Sequence, residues 1–307
     1  MYKIEVVADQ NDLCGESPLW NLQSQKLYWV DITGKQIRTY SYDTGAVTSK
    51  APGIAVSALA LTGSDSLIGA GAEGVWALPE GPAPVSIAKE HMGESLAIND
   101  TVADPRGRLL AGSTFFDNST GGYPLGKLYC LHPDGTITVL DDGFLLANGM
   151  GFSPDARTLY ATDSIARVIY AYDYDVESGA ARNKRTFVKV PSTEGLPDGL
   201  TVDADAFVWS AQWFGSCVCR YDPAGTLRER IAIPAEQVSS VTFGGREFSE
   251  VFITSAGQPD ALAFAPPGYT PSAEKVGGQL FRFRANVQGR PEYSCRIQPG
   301  LHSDAAN

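Results

Sequence analysis

Three stretches of the 307-residue chain open a β-like run with an oxygen-bearing side chain: Glu16-Ser17-Pro18, Asn148-Gly149-Met150 and Asp198-Gly199-Leu200. Two carboxylates and a carboxamide are hard oxygen donors, suited to Ca²⁺, Mg²⁺ or Mn²⁺, with Zn²⁺ or Fe²⁺ accommodated where waters complete the shell. Three protein ligands leave open positions, and one such divalent cation can polarise a carbonyl and bind water, as metal-assisted hydrolysis requires. Singly, Asn148 and Asp198 also read as turn caps ahead of Gly149 and Gly199. The metal reading therefore depends on the three being equivalent positions of a repeated fold.

Such a repeat is present. Helical periodicity is hard to find, whereas short β-rich runs punctuated by Gly, Pro, Asp and Asn recur along the chain. Six runs ending in a small or polar residue, at 27–31, 67–70, 109–113, 159–163, 207–211 and 251–255, recur with a period of about 40 to 50 residues. Each is preceded by a strand whose start is polar or charged (Glu16, Ser57, Asn99, Asn148, Asp198, Ser240) and followed by a further β-like run. Units of four strands repeated six times predict an all-β, six-bladed β-propeller. The last unit is short of an outer strand, and the run 2–8 precedes the first, so the N-terminal strand is expected to close the last blade. Residues 1–300 then form a single domain, with 301–307 a frayed tail. In a propeller the first strand of each blade lines the channel, so Glu16, Asn148 and Asp198 should converge at one mouth. The segments 113–126, 212–216 and 256–278 become its rim, with Phe115, Phe116, Tyr123, Trp213 and Phe214 as candidate walls for a ligand or as ordinary loop packing.

Composition narrows the partners. A formal net charge of −11 argues against nucleic acid and against an anionic membrane surface. No apolar leader and no apolar run of 18 residues is visible, and five irregularly spaced cysteines suit a reducing compartment, so a cytoplasmic location is expected. Of the three histidines, His132 falls in an outer strand and His302 in the tail, leaving no plausible partner for a Ser-His-Asp triad. Cys217 and Cys219 should share one face of a strand as packing, and Arg182, Lys184 and Arg185 read as a solvated turn between strands.

The motifs Gly15-Glu16-Ser17-Pro18-Leu19-Trp20, Asn99-Asp100 ahead of Asp104-Pro105-Arg106-Gly107-Arg108, Asn148-Gly149 with Phe152-Ser153-Pro154-Asp155, Pro197-Asp198-Gly199-Leu200 and Phe243-Gly244-Gly245 together resemble the SMP-30/gluconolactonase/luciferin-regenerating-enzyme-like family of six-bladed propellers. The resemblance implies one divalent metal held by Glu16, Asn148 and Asp198, and hydrolysis of a sugar-acid lactone; in the mechanism read here the metal polarises the lactone carbonyl and Asp198 is the base that takes a proton from the attacking water. It implies Asn99 as a substrate or metal-water contact and a further polar substrate contact near Asp117, while the substrate-holding Arg of the family's sugar lactonases is replaced here by Ala97. Two other readings use the same features: hydrolysis of a phosphoester or phosphofluoridate at the same open metal, and a noncatalytic binding propeller with a structural cation.

Overall fold

The computed structural model describes residues 2–63, 66–81, 83–114, 125–258, 262–272, 274 and 277–300. Six four-stranded antiparallel sheets follow one another along the chain, with a short two-stranded ribbon, Glu90–His91 with Glu94–Ser95, between the second and third. The inner strands of blades one to six are Gly15–Asn21, Ala58–Leu61, Ile98–Ala103, Ala147–Phe152, Leu196–Val202 and Gln237–Gly244. Consecutive inner strands pack against one another and the sixth returns to the first, closing the ring. Burial follows radius. Gln237–Gly244 is buried at every position, whereas the outer strand Ala181–Lys189 is mostly exposed.

That outer strand corrects the reading of Arg182, Lys184 and Arg185 as a turn. They sit on an exposed sheet edge, Arg185 paired with Asp173 and Lys184 with Asp141. Charge on an edge strand blocks pairing with another sheet.

Closure occurs as expected. Glu5–Asp9 pairs antiparallel with Gln279–Arg284, completing the blade built from Gln237–Gly244 and Glu250–Ala256. Arg282 reinforces the seam with Glu5 and Glu250, and Tyr2 packs on Phe283 with ring centroids 4.7 Å apart.

The Asp-rich punctuation has a physical cause. Asp104, Asp203 and Asp222 each cap a hairpin by accepting two backbone amides through one oxygen, as Asp104 does from Arg106 and Arg108, both at 2.8 Å. Their second oxygens take Arg108, Arg220 and Arg228, so the turn signal in the sequence is also an ion-pair signal.

Past the last blade the chain crosses the channel end opposite the inner-strand starts. Gly289 N donates to Phe248 O, Arg290 to Ser153 O at 3.2 Å, Cys295 N to Leu61 O at 2.7 Å and Arg296 N to Gly107 O at 2.8 Å. These acceptors lie at or beyond the far ends of inner strands, so this crossing shuts the lower end and brings Glu292 into the cavity beneath Asp100.

Candidate functional site

Register places the polar starts in one ring. The residues before Glu16, Asn99, Asn148 and Asp198 pair with Asp31, Ser113, Asp163 and Gln212, at matching points of the second strands. The ladder is interrupted at or just after each of these four positions. Such bulges re-aim side chains that would otherwise alternate across the sheet. The sixth blade differs from the sequence reading by one residue: its extra residue is Ser239, between the pairs Val238↔Ser255 and Ser240↔Thr254, so Ser239 rather than Ser240 joins the ring.

The ring divides into two kinds of member. Ser57 Oγ donates to Ile98 O at 2.8 Å, Asn99 Nδ2 to Ala147 O at 3.0 Å and Ser239 Oγ to Gly15 O at 2.5 Å. Each acceptor immediately precedes the ring residue of the next blade, so these three side chains stitch neighbouring inner strands together. Glu16 and Asn148 instead accept, among the described residues, the amide of the residue that follows, Ser17 N and Gly149 N, each at 3.0 Å. Asp198 likewise accepts from Gly199, and from the Asn148 carboxamide beside it.

Where a ligand-type residue replaces a stitch, glycine closes the gap. A Cβ on Gly149 would stand 2.6 Å from Asp198 O, and one on Gly199 would stand 2.7 Å from Ser240 Cα. Both are closer than a Cβ tolerates, so the inner strands of blades four to six approach at backbone distance. In the first blade Ser17 occupies the same place with φ 50°, its hydroxyl accepting Leu59 N at 2.9 Å.

Glu16, Asn99, Asp100, Asn148 and Asp198 line one cavity of about 200 Å³, with Cys14, Ile32, Thr33, Leu146, Ser164, Leu196 and Trp213 completing the wall. No Lys or Arg is among them. Burial pushes Glu16 up to about 8, with Asp100 adding to it. Asp198 is raised well above the usual carboxylate range by burial, then by Glu16 and Asp100, with Asn148 and the Gly199 amide pulling the other way. Asp100 is itself pushed up to about 7 by burial, with Glu292 adding from below. Asp198 Oδ1 is buried and accepts no hydrogen bond from the described residues. A buried carboxylate oxygen left in that state is costly, and a divalent cation is one kind of ligand that would satisfy it and neutralise its neighbours.

Asp100 was not singled out as a site residue in the sequence, because adjacent residues of a regular strand face opposite ways. The bulge at Asn99 removes that rule and lets both line the cavity. Asp117, Phe115, Phe116 and Tyr123 lie outside the described residues. Trp213 lines the cavity, while Phe214 is buried edge-to-face against Tyr269 with centroids 4.7 Å apart. Cys217 and Cys219 share a face as expected, Sγ to Sγ 3.9 Å, and neither is among the described residues of this wall. A larger groove of about 690 Å³ runs along the closure seam, but its Arg282, Glu5, Glu250, Tyr2 and Glu229 bond to one another and present no comparable convergence.

The site and fold together are a six-bladed propeller with an acid-lined pocket at one mouth and a chain crossing at the opposite end. Residues 14–257 match the family model described as the SMP-30/Gluconolactonase/LRE-like region, and the chain belongs to that family. It is 36% identical over 295 residues to a pentonolactonase of Haloferax volcanii, covering 96% of this chain and 98% of that one. It is 32% identical over 299 residues to regucalcin of Danio rerio, covering 95% and 98%. Among solved structures it is similar to a luciferin-regenerating enzyme, with a TM-score of 0.85, 27% identity and coverage of 97% and 100%. No described helix is long and apolar enough to cross a membrane.

Proposed function

We propose that the protein is a metal-dependent hydrolase that opens a sugar-acid lactone to its hydroxy acid, with Glu16, Asn148 and Asp198 holding the cation. The observation that carries this reading is the division of the ring: three members stitch the blades, and the three left over are two carboxylates and a carboxamide, one with an orphaned buried oxygen. Family membership and the pentonolactonase relative favour a lactone, and a five-carbon one first.

A divalent cation in this position supplies Lewis-acid polarisation of the lactone carbonyl. Asp198, ionised when it holds the cation, takes the proton of the attacking water. Asn99 is held by its bond to Ala147 O, which leaves the carboxamide oxygen to accept a ring hydroxyl. Asp117 is a second candidate for such a contact. Leu146, Leu196, Ile32 and Trp213 give the apolar surface against which the carbon face of a small ring packs. Ala97 stands where an Arg would offer a planar donor fork, so this protein should bind its lactone through acceptors and apolar contact rather than a guanidinium clamp. Water adds to the carbonyl carbon, the ring C–O bond breaks, and the hydroxy acid leaves with release of one proton.

The test is proton release, followed with a pH indicator, from pentono- and hexonolactones supplied with Ca²⁺, Mn²⁺, Zn²⁺, Mg²⁺ or Fe²⁺. Opening of at least one lactone well above the buffer rate is expected. No acceleration with any metal would remove the enzymatic reading.

A further inference from the structure

Arg167 stands out among the cations of the molecule. Its guanidinium is half-buried, and its hydrogen-bond partners among the described residues are all backbone carbonyls. Nη1 donates to Glu194 O at 2.7 Å and Gly195 O at 2.9 Å, and Nη2 to Phe264 O at 2.9 Å. The first two acceptors lie immediately before Leu196, on the approach to Asp198. The third belongs to a single 3₁₀ turn, Leu262–Phe264, in the rim segment. Arg167 itself is in a left-handed conformation, φ 57°, at the matching loop of blade four. One planar fork thus ties three pieces of chain from different blades, a geometry a single ammonium donor cannot reproduce.

The far end of that rim segment is held separately. The Tyr269 hydroxyl donates to Glu236 at 2.7 Å and accepts from Gln237 Nε2 at 2.8 Å, and Ser272 N donates to Glu236 at 2.9 Å. Between the two anchors, Phe264, Ala265 and Tyr269 pack on the cluster Leu196, Trp213, Phe214 and Ala256. Of these, Leu196 and Trp213 also face the active-site cavity.

We propose that Arg167 is a positioning residue for substrate binding: by pinning Phe264 and the Glu194–Gly195 carbonyls together it fixes the rim segment against Trp213 and Leu196, and so sets the apolar wall on which the substrate packs. This rests on the lactonase reading for the identity of the substrate, and not for the anchoring itself. The variant Arg167→Met keeps most of the side chain's bulk and removes all the donors. Arg167→Lys restores the charge with a single point donor.

The experiment pairs amide hydrogen exchange over residues 262–272 with lactone kinetics on the metal-loaded enzyme. In Arg167→Met, exchange at Ala265 and Tyr269 should accelerate. KM should rise about tenfold, the order expected when a wall must be ordered on binding, while kcat stays within about twofold. Arg167→Lys should recover only part of both effects. Unchanged exchange in Arg167→Met would overturn the anchor, whatever the substrate proves to be. Faster exchange with unchanged KM, or a loss confined to kcat, would overturn its role in binding. Should the wild-type protein open no lactone, the functional reading fails, and exchange still decides the anchor.

Discussion

Asn99 donates through Nδ2 to the carbonyl of Ala147 at 3.0 Å, which joins the third blade to the residue just before Asn148. The contact needs a donor. In Asn99→Asp, a carboxylate would face a carbonyl oxygen and add a negative charge beside Asp100. A loss of about 1–3 kcal/mol is expected, read from denaturant unfolding of the metal-free protein, with weaker substrate binding when the metal is present.

Asp198→Asn separates chemistry from folding. The neutral carboxamide removes a buried carboxylate whose Oδ1 has no partner among the described residues and which Glu16 and Asp100 oppose. Turnover should fall by at least about 10²–10⁴, because the variant loses the general base together with a ligand of the cation. The melting temperature of the metal-free variant at pH 8 should equal or exceed that of the wild type. An unchanged turnover would sink the assignment of Asp198 as base.

The same burial predicts an unusual pH profile. Glu16 is raised from an ordinary 4.5 to about 8, Asp100 from 3.8 to about 7, and Asp198 also upward. Between their unfolded and folded values the native state holds more protons than the unfolded chain, so stability falls as pH rises. The metal-free protein should therefore melt at progressively lower temperature from pH 5 to pH 8. A bound cation needs the ionised carboxylates, so added metal should stabilise most at pH 8, and its affinity should fall as the pH drops below about 7. Melting curves at several pH values with chelator and with Ca²⁺ check both signs.

Behind the ring, Asp163 holds the chain that leads to Asn148. Its two oxygens accept Leu145 N at 3.0 Å, Leu146 N at 3.1 Å and Ala166 N at 3.2 Å, and Asp31 does the same for Leu13 and Cys14 ahead of Glu16. Asp163→Asn retains one acceptor and turns an NH₂ towards an amide. Unfolding should show a loss of about 1–3 kcal/mol, with metal affinity lowered as well.

Glu16, Asn148 and Asp198 were legible because each begins a repeat, and the repeat carries a strong pattern of strand, small residue and turn. Ser239 was missed by one residue because a bulge adds a position that alternation cannot reveal. Asp100 was hidden by the same irregularity. The crossing that carries Glu292 beneath the site has no periodicity at all; its hold on Leu61 and Gly107 is made by backbone groups every sequence possesses, and its hold on Ser153 by the Arg290 guanidinium donating to a carbonyl. Arg167 gave no signal either, since its partners are carbonyls rather than a recognisable acidic residue.

The central claim is that Glu16, Asn148 and Asp198 share one divalent cation. Anomalous scattering from crystals grown or soaked with Mn²⁺ tests it most directly. A single strong peak is predicted in the channel mouth, bounded by side-chain oxygens of these three residues and absent from Asp198→Asn crystals. A peak elsewhere, or none at saturating Mn²⁺, would contradict it.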